Sequence, residues 1–277
     1  MQTLGFVFTN YNNSEFTKSA ISSMIFENGI FDYQIVIVDN DSDESNTQQL
    51  KFIKKERENN IHLILSKENI GYFRGLNLGI KHLKSTYPEM KYIIVGNNDL
   101  LFPDDFPAMI KNNKAVLDKY AVVSPDIVTA NGIHQNPHVI KRISFVREII
   151  YDIYYSNYLC TVLLSKIAKL TSHFTNRGDE TQHNIAQEIN QGHGSCYILS
   201  TLFFDNFDEL WSPTFLMGEE AFLSIQLRNK NLTVYYEPNI KITHFYHAAI
   251  GKVSSKKMWE FSKKAHQEYR KYVKLWN

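Results

Sequence analysis

Two adjacent carboxylates late in the chain are the residues best suited to acid–base chemistry. Glu219 and Glu220 follow the mostly apolar stretch 211–217, and apolar residues resume directly after them. A carboxylate partly desolvated beside Trp211 or Phe215 would have its pKa moved toward neutrality, which suits a general base. The alternative is that both acids occupy the first turn of a helix, where the helix dipole favours negative charge.

One carboxylate at the end of a strand-like run is the candidate metal ligand. Asp99 follows Asn97 and Asn98 after the apolar run 92–95. Aspartate supplies a hard oxygen ligand, and a divalent cation held by few carboxylates completes its shell with phosphate oxygens and water. A turn rich in Asn and Asp is the alternative. His244 ends another strand-like segment, and a lone histidine of this kind more often has a structural role than a ligating one.

Further residues are placed where a nucleotide could bind. Asp39 and Asp41 follow a strand-like run and could accept hydrogen bonds from a base or from ribose, or could cap a helix; their spacing favours neither interpretation. Glycines recur every fourth residue over 71–79, which would let a pyrophosphate or a neighbouring strand approach a helix closely. Packing on a strand is the favoured interpretation of the glycines alone. Arg74 and Asn77 on the same segment shift the balance toward a ligand.

Strand-like runs in the first half predict the sheet that would position these residues. The runs 4–8, 34–38 and 91–95 are rich in Val, Ile or Phe and end abruptly in polar residues, and Ile61–Leu65 is a fourth. Continuous apolar runs suit strands buried on both faces of a parallel sheet, and helix-like stretches such as 14–26 separate them. The pattern predicts an α/β fold with polar side chains at the carboxyl edge of the sheet, where open parallel sheets bind ligands.

The second half of the chain has a different pattern. Residues 139–170 are aromatic and aliphatic with scattered Lys and Arg, and are predicted to be helical. The polar stretch 172–191 is predicted to be a loop. Strand-like character returns at Cys196–Leu199 and at 233–236.

Composition narrows the class of protein. Of the 277 residues 43% are hydrophobic, and 30 Lys and Arg balance 29 Asp and Glu to a formal charge of +1. Nucleic-acid-binding proteins usually carry a clear basic excess, so no nucleic acid partner is expected. Cys160 and Cys196 cannot form a disulfide framework or a thiolate zinc site, which favours a reducing compartment. No secretory signal or membrane-spanning run is visible, so we expect a cytoplasmic protein that is at most peripheral to the inner face of a membrane.

A series of sequence blocks in a fixed order resembles a known family. The first half holds FTNYN, VDNDSDES, NIGYFRGLNLGI and GNNDLLF, and the second half holds GHGSCYILS, FLMGEEAFLSIQLR and EPNIKITHFYH. In this order they closely resemble the family 2 glycosyltransferases, and most of all bacterial rhamnosyltransferase-like members. The resemblance covers about residues 3–255 and is weakest over 140–190, where no family motif is found.

The resemblance implies a fold and an activity. The fold is GT-A, in which a Rossmann-like nucleotide-binding half and an acceptor-binding half share a mixed central sheet. We assign the nucleotide-sugar-binding half to residues 1–125, the acceptor-binding and catalytic half to 126–253, and a basic amphipathic helix to 254–277. The activity is that of a metal-dependent inverting hexosyltransferase. It would move a sugar from a nucleotide-diphosphate donor, dTDP-rhamnose slightly ahead of a UDP-sugar, to a hydroxyl of a growing, lipid-linked surface polysaccharide.

The resemblance also implies roles for individual residues. Glu220 would be the base, at a position where the family usually has Asp, with Glu219 orienting it or the sugar. Asp99 and His244 would hold Mg²⁺ or Mn²⁺ at the donor diphosphate. The residues implied in binding the donor are Thr9, Asn10, Tyr11, Asp39, Asp41, Asn69, Gly71, Arg74, Asn97 and Asn98.

Two rival functions are weighed against this one. A non-catalytic nucleotide-sugar-binding module on the same fold would need no base, so the paired acids and Asp99 argue against it. A nicotinamide-dependent oxidoreductase would need the G-x-G-x-x-G fingerprint after the first strand, and the sequence lacks it there. The sequence leaves open whether the protein is a homodimer.

The C-terminal segment combines charge with an amphipathic pattern. Residues 251–277 hold eight Lys and Arg against two Glu, so the remainder of the chain is acidic. Apolar residues recur on one helical face, namely Met258, Phe261, Ala265, Tyr269, Tyr272 and Trp276. Such a helix with a Lys-rich polar face suits an anionic membrane surface. With equal weight, the apolar face packs on the catalytic domain or a partner subunit and leaves the lysines in solvent.

Overall fold

The computed structural model describes residues 3–24, 31–170, 178–245 and 255–275. Strands and helices alternate in its first half, as the sequence predicts. They are β1 (Thr3–Asn10), α1 (Ser14–Ser22), β2 (Asp32–Asp39), α2 (Glu44–Glu56), β3 (Ile61–Leu65), α3 (Tyr72–Thr86) and β4 (Tyr92–Asn97). The end of the predicted first helix, residues 25 and 26, lies outside the described residues.

The second half adds five strands and shorter helices. They are β5 (Leu100–Leu101), α4 (Phe106–Asn112), α5 (Lys114–Lys119), β6 (Val122–Thr129), α6 (Phe145–Ser156), α7 (Tyr158–Leu170), a 3-10 helix (Asp179–Gln182), β7 (Gln187–Ile189), β8 (Cys196–Leu199), α8 (Thr201–Phe204), α9 (Glu219–Arg228), β9 (Val234–His244) and α10 (Ser255–Tyr269). The prediction of helix from residue 139 starts too early, because helix begins only at Phe145.

Three of these strands escaped the sequence prediction, namely β6, β7 and the two-residue β5. β6 contains Pro125, and its pairing with β9 shifts register between Pro125 and Asp126. A proline has no N–H for the ladder and is tolerated in a sheet at such an irregularity, which hides the strand from pattern reading. β7 lies in the polar stretch 172–191 that was predicted as a loop, of which 171–177 lies outside the described residues. The predicted loop is therefore wrong at Gln187–Ile189.

One mixed sheet runs through both halves. Its order is β3-β2-β1-β4-β8-β6-β9-β5, with β7 also paired to β9. The first four strands are parallel, and β8 runs antiparallel to both β4 and β6. The boundary predicted between residues 125 and 126 falls inside β6, so the two halves share the sheet.

The core lies on both faces of this sheet. Successive side chains of a strand point to opposite faces. Phe6 and Phe8 of β1 pack in one buried cluster and Val7 packs in the other, against Leu76 and Ile80 of α3. Burial on both faces explains the continuous apolar runs.

The strand pairing brings the polar strand ends to one edge. In the parallel pairs, Asn10 lies opposite Asp39 and Thr9 lies opposite Asn97. The antiparallel pairing of β5 with β9 places His244 opposite Leu100, the residue after Asp99.

The helix α10 packs on the rest of the protein. Tyr269 Oη donates to Glu148 Oε1 on α6 (2.6 Å), and Ala265 is buried. The Phe261 and Phe215 rings are 5.5 Å apart. The packing alternative is therefore correct for the described part of the apolar face, and Trp276 lies outside the described residues. Among the described helices, none is both long and apolar enough to cross a bilayer.

Candidate functional site

The residues predicted to bind a nucleotide meet at the ends of β1 and β2. Asn10 is buried and donates through Nδ2 to Asp39 Oδ1 (3.1 Å) and to Ser42 Oγ (3.0 Å). Asp39, also buried, accepts a further hydrogen bond at Oδ2 from Thr47 Oγ1 (3.0 Å). These bonds hold the Asp39 carboxylate in one orientation at the edge of the sheet.

Asn98 supports this network from inside the protein. Its Nδ2 donates to Thr17 Oγ1 (2.7 Å), to Asn13 Oδ1 (2.9 Å) and to Asn10 Oδ1 (3.1 Å). Asn98 is buried, so its side chain offers little surface to a ligand. The structure places it where it orients Asn10.

Tyr11, Asp41 and Thr9 are the more accessible members of the predicted nucleotide set. Tyr11 is 49% exposed. Asp41 is exposed and has a φ of 65°, a backbone conformation that side-chain-bearing residues adopt rarely. Thr9 is partly buried, and a side chain at Gly75 would come within 2.7 Å of its Cγ2.

The glycines of α3 serve close packing. A Cβ at Gly79 would lie 2.2 Å from Val7 Cγ1 of β1, so the packing interpretation is confirmed there and at Gly75. Gly71 has a φ of 89°, and a Cβ at this position would lie 2.0 Å from the Phe215 carbonyl oxygen. Gly71 therefore lets the chain segment before Glu219 reach the start of α3.

Polar residues around α3 have separate roles. Asn69 Oδ1 accepts from the Gly71 N–H (3.0 Å), which shapes the turn into α3. Asn77 donates to the Leu210 carbonyl (2.8 Å) and accepts from the Leu210 N–H (2.9 Å). The suggestion that Asn77 faces a ligand is therefore wrong, because its amide is occupied by backbone. Arg74 is exposed, with Nε donating to the Ser212 carbonyl (3.4 Å).

Asp99 and His244 form a buried pair. Asp99 Oδ1 lies 3.2 Å from His244 Nε2, and both side chains are nearly inaccessible to solvent. The Asp99 carbonyl accepts from the Phe245 N–H (2.9 Å), which fixes the end of β9 beside Asp99. Asn97 Nδ2 lies 3.4 Å from His244 Nε2, and the Asn97 N–H donates to the Ser195 carbonyl (2.9 Å).

The chemistry of this pair fits a divalent cation. Gln135 Oε1 lies 2.7 Å from His244 Nδ1 and accepts its hydrogen, so Nε2 presents a lone pair. Asp99 Oδ1 makes no hydrogen bond to any described residue, although it is buried. Two ligands on adjacent octahedral positions at about 2.1 Å from a cation are about 3.0 Å apart, close to the observed separation. Within the described residues there is no group of three or more His, Cys, Asp or Glu that could hold a metal, so other ligands would come from a bound molecule or water.

Glu219 and Glu220 begin α9 directly after Gly218, whose φ is 80°. Glu219 Oε1 accepts from the Met217 N–H (3.0 Å), and Glu220 Oε1 accepts from the Gly194 N–H (3.2 Å). Desolvation, with the neighbouring Glu220 charge, raises the pKa of Glu219 to about 8. Glu219 therefore keeps its proton at neutral pH and can donate a hydrogen bond.

Sequence reasoning missed Tyr72, which connects the two acidic sites. Its Oη donates to the Gly194 carbonyl (2.9 Å). Burial raises the pKa of Tyr72 well above its ordinary value, and the nearby charges of Glu219, Glu220 and Asp99 raise it further. The two acidic sites therefore lie within electrostatic reach of the same hydroxyl. The sequence feature that could have pointed to Tyr72 is its position directly after Gly71.

The loop 192–195 is the bridge between the sites. Tyr197 Oη donates to the Gly192 carbonyl (2.7 Å), and Asn136 Oδ1 accepts from the His193 N–H (2.8 Å). A Cβ at Gly194 would lie 2.5 Å from Glu220 Oε1, so the loop passes directly against the carboxylate. The loop thus has backbone contacts to Glu220 at one residue and to Asn97 at the next.

His193 is a second residue that the sequence analysis missed. Its ring lies between those of His138 and His244, at centroid distances of 5.7 and 5.8 Å. Nδ1 accepts from the Ser195 N–H (3.3 Å), which leaves the hydrogen on Nε2. Desolvation and the two histidines lower the pKa of His193 to about 3, so the ring is neutral at physiological pH. Its position between two glycines was the available signal.

Comparison with known proteins places the chain by sequence and by fold. The sequence of residues 6–164, more than half of the chain, matches the family model for "Glycosyl transferase family 2". A "Low-salt glycan biosynthesis hexosyltransferase Agl10" of Haloferax volcanii is 23% identical over 235 residues, which are 84% of this chain and 64% of that protein.

Solved structures share the fold. S. aureus TarS 1–349 in complex with UDP-GlcNAc is 14% identical with a TM-score of 0.52, over 94% of this chain and 64% of that chain. The mannosyltransferase PcManGT from Pyrobaculum calidifontis, with GDP-Man and Mn²⁺, is 12% identical with a TM-score of 0.53, over 87% and 56%. GalNAc-T7 with UDP, GalNAc and Mn²⁺ is 12% identical with a TM-score of 0.62, over 99% and 48%. The chain spans less than two thirds of the length of each of these proteins.

Fold and sequence lead to the same assignment. The mixed sheet, with a parallel nucleotide-side half and strand β8 reversed, agrees with the GT-A fold of these structures. The family match includes Asn10 and Asp39 at the ends of β1 and β2, and Asp99 in the turn between β4 and β5. The chain belongs to glycosyl transferase family 2.

Proposed function

We propose that this chain is an inverting glycosyltransferase that moves a sugar from a nucleoside diphosphate to an acceptor hydroxyl with the help of a divalent cation. The observation that carries the proposal is that loop 192–195 joins two sites, because the Gly194 N–H donates to Glu220 Oε1 (3.2 Å) and the Ser195 carbonyl accepts from the Asn97 N–H (2.9 Å). One is the pair of Asp99 Oδ1 and His244 Nε2, 3.2 Å apart, and the other is the Glu219–Glu220 pair. Direct displacement needs a cation at the leaving group and a base at the acceptor, and these sites supply both.

The donor would bind at the edge formed by β1, β2 and the start of α3. Asp39 would accept hydrogen bonds from the base or ribose, held for that role by Asn10 and, behind it, Asn98. Exposed Arg74 would meet the diphosphate. The full donor set that we propose is Thr9, Asn10, Tyr11, Asp39, Asp41, Asn69, Gly71, Arg74, Asn97 and Asn98. Within this set, buried Asn98 acts by orienting Asn10, and Asn69 acts by shaping the turn at Gly71.

Asp99 and His244 would hold Mg²⁺ or Mn²⁺. When bound, such a cation acts as a Lewis acid on the departing diphosphate. The contribution of this chain is the tautomer of His244, which Gln135 sets through the 2.7 Å contact to Nδ1. Two of the structurally similar proteins were solved with Mn²⁺, which supports a divalent cation here.

Glu220 would be the base that takes the proton of the acceptor hydroxyl. The Gly194 N–H binds its Oε1 and so fixes the direction of the carboxylate. Glu219, whose pKa is raised to about 8, would keep its proton at neutral pH and donate a hydrogen bond to the sugar. The glutamate at position 220 reaches one methylene further than the aspartate that the family resemblance led us to expect.

The proposed partners are a sugar nucleotide and a glycan. The similar structures hold UDP, UDP-GlcNAc or GDP-Man, which supports a nucleoside diphosphate sugar, and we propose dTDP-rhamnose or a UDP-sugar. The name of the Haloferax relative supports a glycan acceptor. We propose a lipid-linked acceptor, reached at the cytoplasmic face of a membrane by a monomer or a homodimer.

Thermal unfolding with ligands tests the proposed donor and cation. We expect at least one of UDP, dTDP and GDP, together with Mn²⁺, to raise Tm by several degrees, and NAD to leave it unchanged. A ligand at about 100 times its Kd stabilises the folded state by about 2.7 kcal/mol. Stabilisation by NAD but by no nucleoside diphosphate would contradict the proposal.

A matched pair of aspartate variants distinguishes loss of cation binding from a general loss of stability. Asp99→Asn should lose the part of the Tm shift that depends on Mn²⁺, because the ionised ligand is gone. Asp126→Asn is the control, since Asp126 is also buried and pairs with a histidine, His134, at 2.9 Å. It should keep the full Mn²⁺ response, and an undiminished response in Asp99→Asn would refute the cation site.

A further inference from the structure

The hairpin of α6 and α7 presents a row of apolar side chains to solvent. On α6, Val146, Ile150 and Ile153 are 64%, 43% and 48% exposed. On α7, Leu159 and Leu163 are 80% and 60% exposed. Spacings of four and three residues on α6, and of four on α7, place each set on one side of its helix. Apolar side chains clustered at this exposure mark an interaction surface.

On α6 this apolar side faces away from the protein. Glu148 and Asp152 lie on the other side of the helix, where they contact α10. Tyr269 Oη donates to Glu148 Oε1 (2.6 Å), and His266 Nε2 lies 2.7 Å from Asp152 Oδ1. Val146 is two positions before Glu148, which is about 200° around an α-helix.

On α7 the apolar side also faces outward. The Tyr158 ring lies 5.5 Å from the Trp259 ring of α10, and Thr161 Oγ1 donates to the Tyr154 carbonyl of α6. Leu159 and Leu163 are each two positions from Thr161, again about 200° around the helix. Both helices therefore bury their polar contacts and expose their apolar sides.

Basic residues border this surface. Residues 141–170 contain five Lys and Arg against two acids, and both acids are already bound to α10. Lys166 on α7 and Lys264 on α10 are exposed. Lys263 Nζ donates to the Ser156 carbonyl (2.8 Å), which brings the basic helix α10 to the turn of the hairpin.

We propose that the α6–α7 hairpin inserts its exposed apolar side into the interface of an anionic membrane, while Lys166 of α7 and Lys263 at the turn of the hairpin meet lipid phosphates. Apolar side chains flanked by cations are the features of helices that lie in a membrane interface. A second copy of this chain is a poorer occupant, because a twofold contact would bring the same basic borders together. This inference moves the membrane contact from the apolar side of α10, which packs on protein, to α6 and α7.

The inference deepens the proposed function, since a lipid-linked acceptor lies at a membrane. It rests on the proposed function only for the reason why the protein would bind a membrane. Vesicle binding needs no sugar transfer. If no nucleotide sugar is used but vesicles are bound, the hairpin proposal stands and the enzymatic proposal fails. If a nucleotide sugar is used but vesicles are not bound, the enzymatic proposal stands and the hairpin proposal fails.

Co-sedimentation of the full chain with vesicles tests the hairpin. The vesicles are phosphatidylcholine alone or mixed with phosphatidylglycerol, at low and high salt. The variant is Leu159→Glu/Leu163→Glu, and the control is Phe52→Glu, because Phe52 on α2 is 58% exposed and lies outside the hairpin. We expect the wild type and the control to bind anionic vesicles, more weakly at high salt, and the double variant to bind at least ~10-fold less.

Three results would overturn the proposal. The first is equal binding by the double variant and the wild type, and the second is no binding by the wild type. The third is a dimer, detected by light scattering, that the double variant abolishes, because the hairpin would then be a self-association surface. The double variant should keep the wild-type Tm and the wild-type stabilisation by nucleoside diphosphate, which excludes unfolding as the cause of lost binding.

Discussion

At the scale of single residues, two histidines near Asp99 are held in opposite tautomers. Gln135 accepts the Nδ1 hydrogen of His244, so Nε2 presents a lone pair beside Asp99. The Ser195 N–H donates to Nδ1 of His193, so that ring carries its hydrogen on Nε2. The rings are 5.8 Å apart, so a nitrogen lone pair and a hydrogen-bond donor occupy neighbouring places at the end of the sheet.

The chemistry of single residues was predictable where it depends on local sequence. Asp99, Glu219 and Glu220 follow apolar runs, and loop 192–195 links Glu220 to Asn97, two residues before Asp99. Tyr72 and His193 were not predictable, because their roles depend on hydrogen bonds with a loop that the sequence alone cannot place. Asn77 misled for the same reason, since its partner Leu210 is remote in sequence.

Glu219→Gln should change the pH dependence of stability. The pKa of Glu219 is about 8 in the folded chain against an ordinary value of 4.5, so between these pH values the folded state binds more protons than the unfolded state. The free energy of unfolding therefore falls as pH rises through this window. The variant escapes this loss. Relative to wild type it should gain about 1–2 kcal/mol between about pH 5 and pH 8.5, allowing for solvent screening.

Urea unfolding at both pH values measures this difference. Glu260→Gln is the control, because Glu260 is an exposed glutamate on α10 and should give the wild-type pH dependence. A Glu219→Gln variant that loses stability in parallel with wild type would show that Glu219 carries no raised pKa.

At the scale of elements, α10 supports the segment that carries the two acids. Phe215 lies against Phe261 of α10 at 5.5 Å, and the Trp211 ring is 4.6 Å from that of Tyr272 in the turn after α10. Ala265 is buried beneath Gly218, where a Cβ on the glycine would lie 3.3 Å from the Ala265 Cβ. The position of Glu219 and Glu220 therefore depends on a helix at the end of the chain.

Ala265→Leu should disturb this support. The added volume has no space beside Gly218, and overpacking of this kind costs about 1–3 kcal/mol. We expect nucleotide-stimulated Tm shifts to persist, since the contacts of α10 given above are to α6 and to the segment before Glu219, while transfer falls by about tenfold or more. Gln267→Leu adds an apolar residue at an exposed position of the same helix and should leave transfer unchanged. Wild-type transfer by Ala265→Leu, measured beside this control, would show that α10 does not set the geometry of the acids.

Elements were predictable where the pattern is simple. Strands β1 to β4 are continuous apolar runs because both faces of the sheet are covered. β6 was missed because Pro125 interrupts it, and β7 because three polar-flanked residues carry no periodic signal. The amphipathic pattern of α10 was correct, but such a pattern does not say whether the apolar face meets protein or lipid.

At the scale of the whole molecule, one mixed sheet connects every part of the proposed mechanism. Its parallel strands end in the nucleotide-side residues, and β9 returns His244 to Asp99. The loop before β8 carries Gly194, which holds Glu220. Residues 251–277 carry an excess of Lys and Arg, and the rest of the chain carries an excess of Asp and Glu. The total charge is therefore near zero although the charge is unevenly distributed along the sequence.

Release of nucleoside diphosphate from a panel of sugar nucleotides is the most direct test of the central claim, that Glu220 acts as base beside a cation held by Asp99. The panel contains dTDP-rhamnose, UDP-sugars and GDP-Man with Mn²⁺, and water serves as the acceptor if no other is supplied. We predict release from at least one donor, its loss with EDTA, and a decrease of at least ~10²-fold in Glu220→Gln with the Mn²⁺-dependent Tm shift retained. Release by Glu220→Gln at the wild-type rate, or by Glu220→Gln but not by Glu219→Gln, would contradict the account.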